Sequence, residues 1–258
     1  MKVALITGAS GGIGLELAHV MAKEKHNLVL VARSIEKLNV LADQLIQKYG
    51  IKVKTYQVDL SKTEEIENLY NQTQSDDIEV SYLINNAGFG EYGKFIENDW
   101  EKLNTMMQLN MVSLVHLTKL YSKNMVSSKF GKIMNVASTA AFQPLPYFAV
   151  YAATKSFVLS FSEAVGSELK DYGITVTALC PGLTETGFVE AANMGNTKFL
   201  DKAKSGMATA EEVAEYGYEA MMKGKTVAVH GMVNSLMAQS ARFLPRDLVT
   251  SIAKKIQE

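Results

Sequence analysis

Short, continuously apolar runs alternate along this chain with longer amphipathic stretches, and this alternation restricts the fold most. Runs such as "VALI", "LVLV" and "ITVTAL" are apolar at successive positions rather than at every second one. Strands of this kind are buried on both faces, as in a parallel sheet covered by helices on each side. Because parallel crossovers are right-handed, the pattern predicts an α/β, Rossmann-like doubly wound parallel sheet of about seven strands, in a single domain over residues 1–258.

The pattern also predicts where the elements begin and end. Ser34 and Gly50 are predicted to start and stop the helix after the second strand, and Ser61 with Glu64 fits a capping box after the third. Doubly wound sheets bind ligands at the carboxyl ends of their strands, so the residues that follow each strand are the candidate site. The strands are predicted at residues 2–8, 27–33, 52–60, 80–88, 131–138, 173–182 and 226–231.

Composition argues against several classes of function. The formal net charge of -1 gives no electrostatic reason to expect nucleic acid or an anionic membrane as a partner. Cys180, the single cysteine, lies in an apolar run and is expected to be a buried, inert thiol. The four histidines are scattered, so no metal site is predicted. With no signal-peptide core or membrane-spanning run, a cytoplasmic location is expected.

A glycine-rich turn, "TGASGGIG", follows the first strand. Gly8, Gly12 and Gly14 have the spacing GxxxGxG, in which glycine permits tight turning and lets a phosphate approach the backbone. The helix that begins near Gly12 directs its free N–H groups at the same place. The turn therefore predicts a pyrophosphate site, and the alternative is that the glycines serve packing alone.

Arg33 follows the second strand, where an NAD-binding protein would usually carry Asp or Glu for the ribose hydroxyls. A guanidinium instead suits a 2′-phosphate, so we expect NADP(H) in preference to NAD(H). Ser10 and Ser34 are weaker candidates for the same phosphate, and the alternative for Arg33 is a solvated surface side chain. Asp59, after the third strand, is either an acceptor for an adenine amino group or a residue that starts the next helix.

Tyr151 and Lys155 stand four residues apart in "YAATK", within a predicted helix. Positions i and i+4 lie on one helix face, so the ammonium is predicted to lower the pKa of the phenol. A tyrosine tuned in this way can transfer a proton near neutral pH. The alternative is a surface pair without chemistry.

The joint pattern resembles the short-chain dehydrogenase/reductase family. The matching pieces occur in order over residues 1–190: "TGASGGIG", "VDL", "NNAG", Asn110, Ser138, "YAATK" and "PGLTET". The resemblance implies an NADP(H)-dependent oxidoreductase that interconverts a ketone or aldehyde with an alcohol. It implies a catalytic set of Asn110, which holds a water, Ser138, which orients the substrate oxygen, Tyr151, the general acid/base, and Lys155, which also bonds the nicotinamide ribose. The implied cofactor-binding residues are Gly8, Ser10, Gly12, Ile13, Gly14, Arg33, Ser34, Asp59, Leu60, Asn86, Ala87, Gly88, Tyr151, Lys155, Pro181, Gly182, Thr184 and Thr186.

Two other functions stay open: a non-catalytic NADP(H)-binding regulator and a 3-oxoacyl-carrier-protein reductase. Residues 186–212 are expected to form a lid over the cofactor, and apolar walls favour a hydrophobic substrate. Thr184 departs from the valine or isoleucine that the family commonly has at this place. The expected walls are Phe89, Phe142, Leu145, Tyr147 and the segment 184–199 with Phe188 and Met194.

The C-terminal segment departs most from the family. Its tetrameric members have a glycine-rich ending, whereas residues 232–258 here form an apparently helical extension with apolar stripes. We expect a homo-oligomer, a dimer rather than the usual tetramer, with this extension packed or buried between subunits. Membrane contact is the less favoured alternative. It would use Leu236, Met237, Phe243 and Leu244 beside Arg242 and Arg246.

Overall fold

A computed structural model describes residues 2–194, 206–241 and 243–257. Its main element is a seven-stranded parallel sheet with the strand order β3-β2-β1-β4-β5-β6-β9. A separate two-stranded parallel sheet, β7 with β8, was not anticipated from the sequence. The strands are β1 (Val3–Thr7), β2 (Asn27–Ala32), β3 (Val53–Gln57), β4 (Val80–Asn85), β5 (Gly131–Val136), β6 (Ile174–Cys180), β7 (Thr184–Glu185), β8 (Ala208–Thr209) and β9 (Val227–Val229).

Helices connect the strands and cover both faces of the sheet. A π-helical turn, Gln108–Ser113, joins the fourth helix to the fifth, and short 3₁₀ turns follow β5 and precede β6. The helices in the described residues are α1 (Gly12–Lys23), α2 (Ile35–Tyr49), α3 (Thr63–Ser75), α4 (Trp100–Met107), α5 (Leu114–Ser128), α6 (Ala149–Leu169), α7 (Phe188–Ala191), α8 (Ala210–Met222), α9 (Met232–Ser240) and α10 (Arg246–Gln257).

Successive residues of the central strands enter different cores, which explains their uninterrupted apolar runs. Ile6 of β1 packs in a core with side chains of α1, α2 and α8. Its neighbour Leu5 packs in a second core with side chains of α3 and α5. The doubly wound parallel sheet predicted from the sequence is confirmed.

The strand order places a crevice at the centre of the sheet. β1 pairs with β2 on one side and with β4 on the other, so the chain reverses its direction of winding between β1 and β4. Helices connected to the two strands lie on opposite faces, and the loops at their carboxyl ends separate there. The glycine turn after β1 and the "NNAG" segment after β4 meet at this point.

Several local boundaries differ from the sequence predictions. The strands are shorter than predicted because the last residues of each apolar run leave the sheet as loops. The Ser61–Glu64 capping box is wrong: Lys62 is the N-cap of α3, and the Ser61 hydroxyl donates to Asp59 Oδ1 at 2.7 Å. The Ser61 hydroxyl, which was expected to cap the helix, therefore hydrogen-bonds to Asp59 instead.

The boundaries of α2 follow the prediction more closely. Ser34 is its N-cap by position, although its hydroxyl donates to Glu36 and accepts no helix N–H. Gly50 ends the helix in the left-handed conformation, with φ of 65°. A complete capping box occurs instead at α8, where Thr209 and Glu212 exchange hydrogen bonds with each other's backbone N–H.

Candidate active site

A cavity of about 1670 Å³ runs along the carboxyl ends of β1 to β6. Pockets for single small ligands are about 300–1,000 Å³, so this one has room for a dinucleotide and a second molecule. Every predicted site residue except Gly14 and Asn110 lines it. The lining set is Gly8, Ser10, Gly12, Ile13, Arg33, Ser34, Asp59, Leu60, Asn86, Ala87, Gly88, Ser138, Tyr151, Lys155, Pro181, Gly182, Thr184 and Thr186.

The glycine turn after β1 is fixed by contacts that leave no room for side chains. Gly8 has φ of 66°, and Asn86 Nδ2 donates to the carbonyl oxygens of Thr7 at 2.9 Å and Gly8 at 3.3 Å. A Cβ on Gly14 would collide with the Gly8 carbonyl oxygen and with that same amide. Gly14 thus lies behind the turn, where it lets α1 approach, and Gly8 faces the cavity.

Two cations stand where β2 ends and α2 begins. Arg33 and Lys37 are both exposed, and both line the cavity. Sequence reasoning found Arg33 and missed Lys37. The available signal was spacing, because Lys37 lies four residues after Arg33, in the first turn of α2.

Asp59 lies opposite these cations at the end of β3. Ser61 donates to its Oδ1 through both the hydroxyl, at 2.7 Å, and the backbone N–H, at 3.1 Å. Burial acts to raise the pKa of Asp59, but these hydrogen bonds, with the charges of Lys62 and Arg33, outweigh it and leave the pKa below its ordinary value. Asp59 is therefore ionised at neutral pH and can accept hydrogen bonds from a ligand.

Ser138, Tyr151 and Lys155 form a buried polar group at the inner end of the cavity. The Ser138 side chain interacts with the Tyr151 phenol and acts to lower its pKa. Ser138 Oγ also accepts from the N–H of Ala140 at 3.1 Å, which fixes its position at the start of a 3₁₀ turn. Lys155 lies one helical turn after Tyr151, and its Nζ donates to the Val136 carbonyl oxygen at 2.7 Å.

The predicted lowering of the Tyr151 pKa is wrong for this structure. Burial raises the pKa of Tyr151 to about 12, and the hydrogen bond with Ser138 opposes this only in part. Lys155 Nζ lies 5.7 Å from the centroid of the tyrosine ring and is directed at a carbonyl rather than at the phenol. Burial also lowers the pKa of Lys155 to about 8. At neutral pH Tyr151 therefore keeps its proton, and most Lys155 side chains keep their charge.

Asn110 lies in the π-helical turn, and both its amide nitrogen and its amide oxygen hydrogen-bond to the protein. Its Nδ2 donates to the Phe89 carbonyl oxygen at 3.0 Å and to the Thr154 hydroxyl at 3.1 Å, and its Oδ1 accepts from the Phe89 N–H at 3.2 Å. It thereby joins the loop after β4 to α6, next to Lys155. π-Helical turns occur frequently at functional sites. The role of Asn110 in holding a water stays a prediction.

Aromatic and aliphatic side chains line the part of the cavity beside Tyr151. Sequence reasoning missed Phe148, whose ring centroid lies 4.5 Å from that of Tyr151. It wrongly included Tyr147, which does not line the cavity and packs its ring 6.1 Å from that of Tyr92. The predicted wall residues that do line it are Phe89, Phe142, Leu145, Phe188 and Met194.

The loop after β4 is fastened to the segment that carries α7. Glu91 is buried, forms an ion pair with Lys102, and accepts from Asn193 Nδ2 at 3.0 Å. The N–H of Tyr92 donates to the Ala192 carbonyl oxygen at 2.9 Å. These contacts hold one end of the predicted lid against the cavity. The part of the lid at 195–205 lies outside the described residues, as does Arg242.

The sequence model of the short chain dehydrogenase family matches residues 2–197 of this chain. The chain belongs to the short-chain dehydrogenase family. That family consists of NAD(P)-dependent oxidoreductases that act on CH–OH groups, and the resemblance drawn from the motifs is confirmed. In the described residues no group of three or more His, Cys, Asp or Glu side chains is placed to hold a metal ion.

Two relatives of known name are similar to most of this chain. The chain is 35% identical over 187 residues to a very-long-chain 3-oxoacyl-CoA reductase of Phaeosphaeria nodorum, with 71% of this chain and 55% of that protein covered. It is 33% identical over 204 residues to a 17-beta-hydroxysteroid dehydrogenase type 3 of Mus musculus, with 77% and 65% covered. The matched region is thus 55% and 65% of the length of these relatives.

A solved structure agrees over nearly the whole chain. A short-chain dehydrogenase from Sphingobium yanoikuyae in complex with NADPH superimposes with a TM-score of 0.83 at 30% identity. The comparison covers 94% of each chain. The single-domain fold is therefore that of the family.

Proposed function

We propose that this protein uses NADPH to reduce the carbonyl group of an apolar ketone or aldehyde, with Tyr151 as the general acid. The observation that carries the proposal is the buried group of Ser138, Tyr151 and Lys155 at the inner end of a cavity with apolar walls. A general acid must hold its proton before the reaction, as a tyrosine does at neutral pH.

The residues around the cavity fit a dinucleotide. The glycine turn leaves its backbone open to phosphates, because a side chain at Gly14 has no space and Gly8 faces the cavity. Arg33 and Lys37 would hold a 2′-phosphate, which supports NADP(H) over NAD(H). The NADPH bound to the Sphingobium yanoikuyae relative supports the same preference. The bound nicotinamide would supply the hydride, and the protein supplies the geometry and the proton.

Three side chains of the protein have separable roles. Ser138 Oγ, fixed by the Ala140 N–H, donates to the substrate oxygen and keeps it beside the phenol. Tyr151 Oη transfers its proton to that oxygen as the C–H bond forms, so the product is a neutral alcohol. Lys155, held by the Val136 carbonyl, places a positive charge near the tyrosine and stabilises the phenolate left behind. General acid catalysis of this kind contributes typically about 10²–10⁴-fold.

The cavity supports a large hydrophobic substrate rather than a small polar one. Phe148 and Phe188 approach Tyr151, with ring centroids 4.5 and 5.4 Å from its own. One relative is named for very-long-chain 3-oxoacyl-CoA, which carries a ketone, and another for a hydroxysteroid, which carries the alcohol that reduction of a ketone gives. Both groups stand on an apolar skeleton. We therefore extend the proposal to 3-oxoacyl thioesters and steroid-sized ketones. A regulator without catalysis is the alternative, but it would have no need of a buried Ser–Tyr–Lys group.

The test measures NADPH oxidation on a panel of carbonyl compounds. The panel contains 3-oxoacyl-CoA thioesters of several chain lengths, an acyl-carrier-protein thioester, a 17-keto steroid and a short aldehyde. We expect turnover of a hydrophobic ketone by the wild type and a loss of about 10²–10⁴-fold in Tyr151→Phe, with NADPH affinity retained. If both proteins bind NADPH and neither reduces any carbonyl, the regulator is correct. Exclusive use of the carrier-protein thioester would favour a 3-oxoacyl-carrier-protein reductase.

A further inference from the structure

The last helix, α10, presents a second apolar stripe beside the one that it buries. Val249 and Ala253 are buried against the protein. Leu248, Ile252 and Ile256 follow one another at intervals of four residues and are all exposed, with Ile252 at 44%. Residues at this spacing lie on one helix face. The second stripe therefore leaves close to half of its apolar surface in contact with solvent.

Helix α9 and the loop before α4 continue this apolar surface. Met232, Val233 and Leu236 of α9 project into solvent, with Met232 81% exposed. Phe95, Ile96 and Trp100 project in the same way from the loop, with Ile96 88% exposed. We call the exposed apolar side chains of α9, α10 and residues 95–100 the apolar rim.

The apolar rim adjoins the cavity. Met232 and Ile256 belong both to the rim and to the cavity lining. Glu101 and Lys102, which directly follow Trp100, line the same cavity, and the Tyr92 hydroxyl donates to the Gln257 carbonyl oxygen at 2.9 Å. The loop before α4 and the end of α10 are therefore adjacent, although about 160 residues separate them in the sequence.

We propose that the apolar rim rests on the surface of a lipid bilayer and opens the cavity towards it. Apolar side chains around a binding cavity mark an interaction surface. Amphipathic helices bind bilayers by burying such a face to a depth of about 5–10 Å. An apolar substrate of the proposed function partitions into lipid, so a cavity that faces the bilayer receives it without passage through water. The sequence alone argued against a membrane partner, and the exposure of these side chains reverses that expectation.

The basic charge of α10 suits an anionic lipid surface. The described residues of α9 and α10 carry Arg246, Lys254 and Lys255 against Asp247, three positive charges and one negative, a sum of +2. Lys255 is exposed on the flank of the Leu248–Ile256 stripe. Residues 95–100 carry Glu97 and Asp99, so the excess of positive charge is confined to α10, which would lie against the anionic lipid.

None of the helices in the described part of the chain has the length and apolar character to cross a bilayer. Binding at the bilayer surface is therefore the form of contact that these elements offer. The proposal of bilayer binding rests on the proposed function only for the choice of an apolar substrate.

The test is co-sedimentation of the full chain with unilamellar vesicles, without substrate or cofactor. Vesicles of phosphatidylcholine alone are compared with vesicles that also contain phosphatidylglycerol. We expect the wild type to bind, and more strongly with phosphatidylglycerol. Leu236→Ser and Ile252→Ser should each weaken binding at least about tenfold, since each removes an apolar side chain that the bilayer would bury. Lys255→Ala should weaken binding about fivefold with phosphatidylglycerol and leave binding to phosphatidylcholine unchanged.

Val40→Ser is the matched control, because Val40 is 59% exposed on α2 and lies outside the rim. It should bind vesicles as the wild type does. NADPH affinity and far-ultraviolet circular dichroism should be the same in all variants, which shows that the fold is intact. Failure of the wild type to bind either vesicle, or equal loss in Val40→Ser, overturns the proposal. The proposal is also overturned if light scattering shows that the wild type is a dimer and that Leu236→Ser is a monomer, since the rim is then a subunit interface. Turnover is not measured, so failure of the proposed function leaves this result interpretable.

Discussion

Arg33 and Lys37 provide a quantitative prediction, because NADPH and NADH differ in the 2′-phosphate that these two cations would hold. A hydrogen bond to a charged group contributes about 1.5–3 kcal/mol, which corresponds to about 10- to 150-fold in affinity. Both side chains are exposed, so solvent and salt reduce their effect. We therefore expect Arg33→Ala to weaken NADPH binding about tenfold and Lys37→Ala, which removes a point charge, about fivefold.

The assay is isothermal calorimetry with NADPH and NADH, which needs no substrate. NADH affinity should change by less than about twofold in both variants. The NADPH affinity of the wild type should fall with rising salt more steeply than that of the double variant. Lys48→Ala is the control, since Lys48 is a similarly exposed lysine in the last turn of the same helix. Equal weakening of NADPH and NADH by Arg33→Ala would refute the assignment of this end of the cavity to a 2′-phosphate.

Three further predictions concern stability. Gly14→Ala should lower the free energy of unfolding in urea by about 2 kcal/mol, because its Cβ would overlap the glycine turn, whereas Gly11→Ala, with nothing within 4 Å, should have little effect. Thr209→Ala removes the capping box of α8 and should cost about 1 kcal/mol in the same measurement. Between pH 8 and 9 the unfolded chain still binds the Lys155 proton, whereas the folded chain is releasing it. The free energy of unfolding of the wild type should therefore rise by about 1 kcal/mol as the pH increases. Lys155→Met should lose this rise. Burial raises the pKa of Cys180 to about 12, which opposes the trend from about pH 8 upwards, so a rise that persists in Lys155→Met would contradict the assignment.

Local sequence signals predicted the parts of this site that depend on spacing along the chain. Continuous apolar strands can only be buried on both faces, so the sheet and its ligand-binding edge followed from the pattern. The Tyr151–Lys155 pair follows from helix periodicity in the same way. Features that depend on competition between neighbours did not follow: the Ser61 hydroxyl had a stronger acceptor in Asp59 than in the helix backbone.

Burial was the property that the sequence revealed least. The tyrosine pKa was predicted from a charge four residues away, whereas much of the apolar surroundings of Tyr151 comes from distant segments, such as Leu103 and Phe188. The C-terminal apolar stripes were expected to be buried. A stripe such as Leu248, Ile252 and Ile256 reads the same in sequence whether it faces a core or solvent.

The central claim is that Tyr151 is a proton donor whose acidity depends on its site. Ultraviolet titration of tyrosinate, as the difference between wild type and Tyr151→Phe, measures this directly. Without cofactor the phenol should titrate with a pKa of about 12, because burial disfavours the phenolate. With NADP⁺ bound, the positive nicotinamide and Lys155 both favour the phenolate, so the pKa should fall below its ordinary value of about 10. A Tyr151 pKa that stays near 12 with NADP⁺ bound would contradict the account.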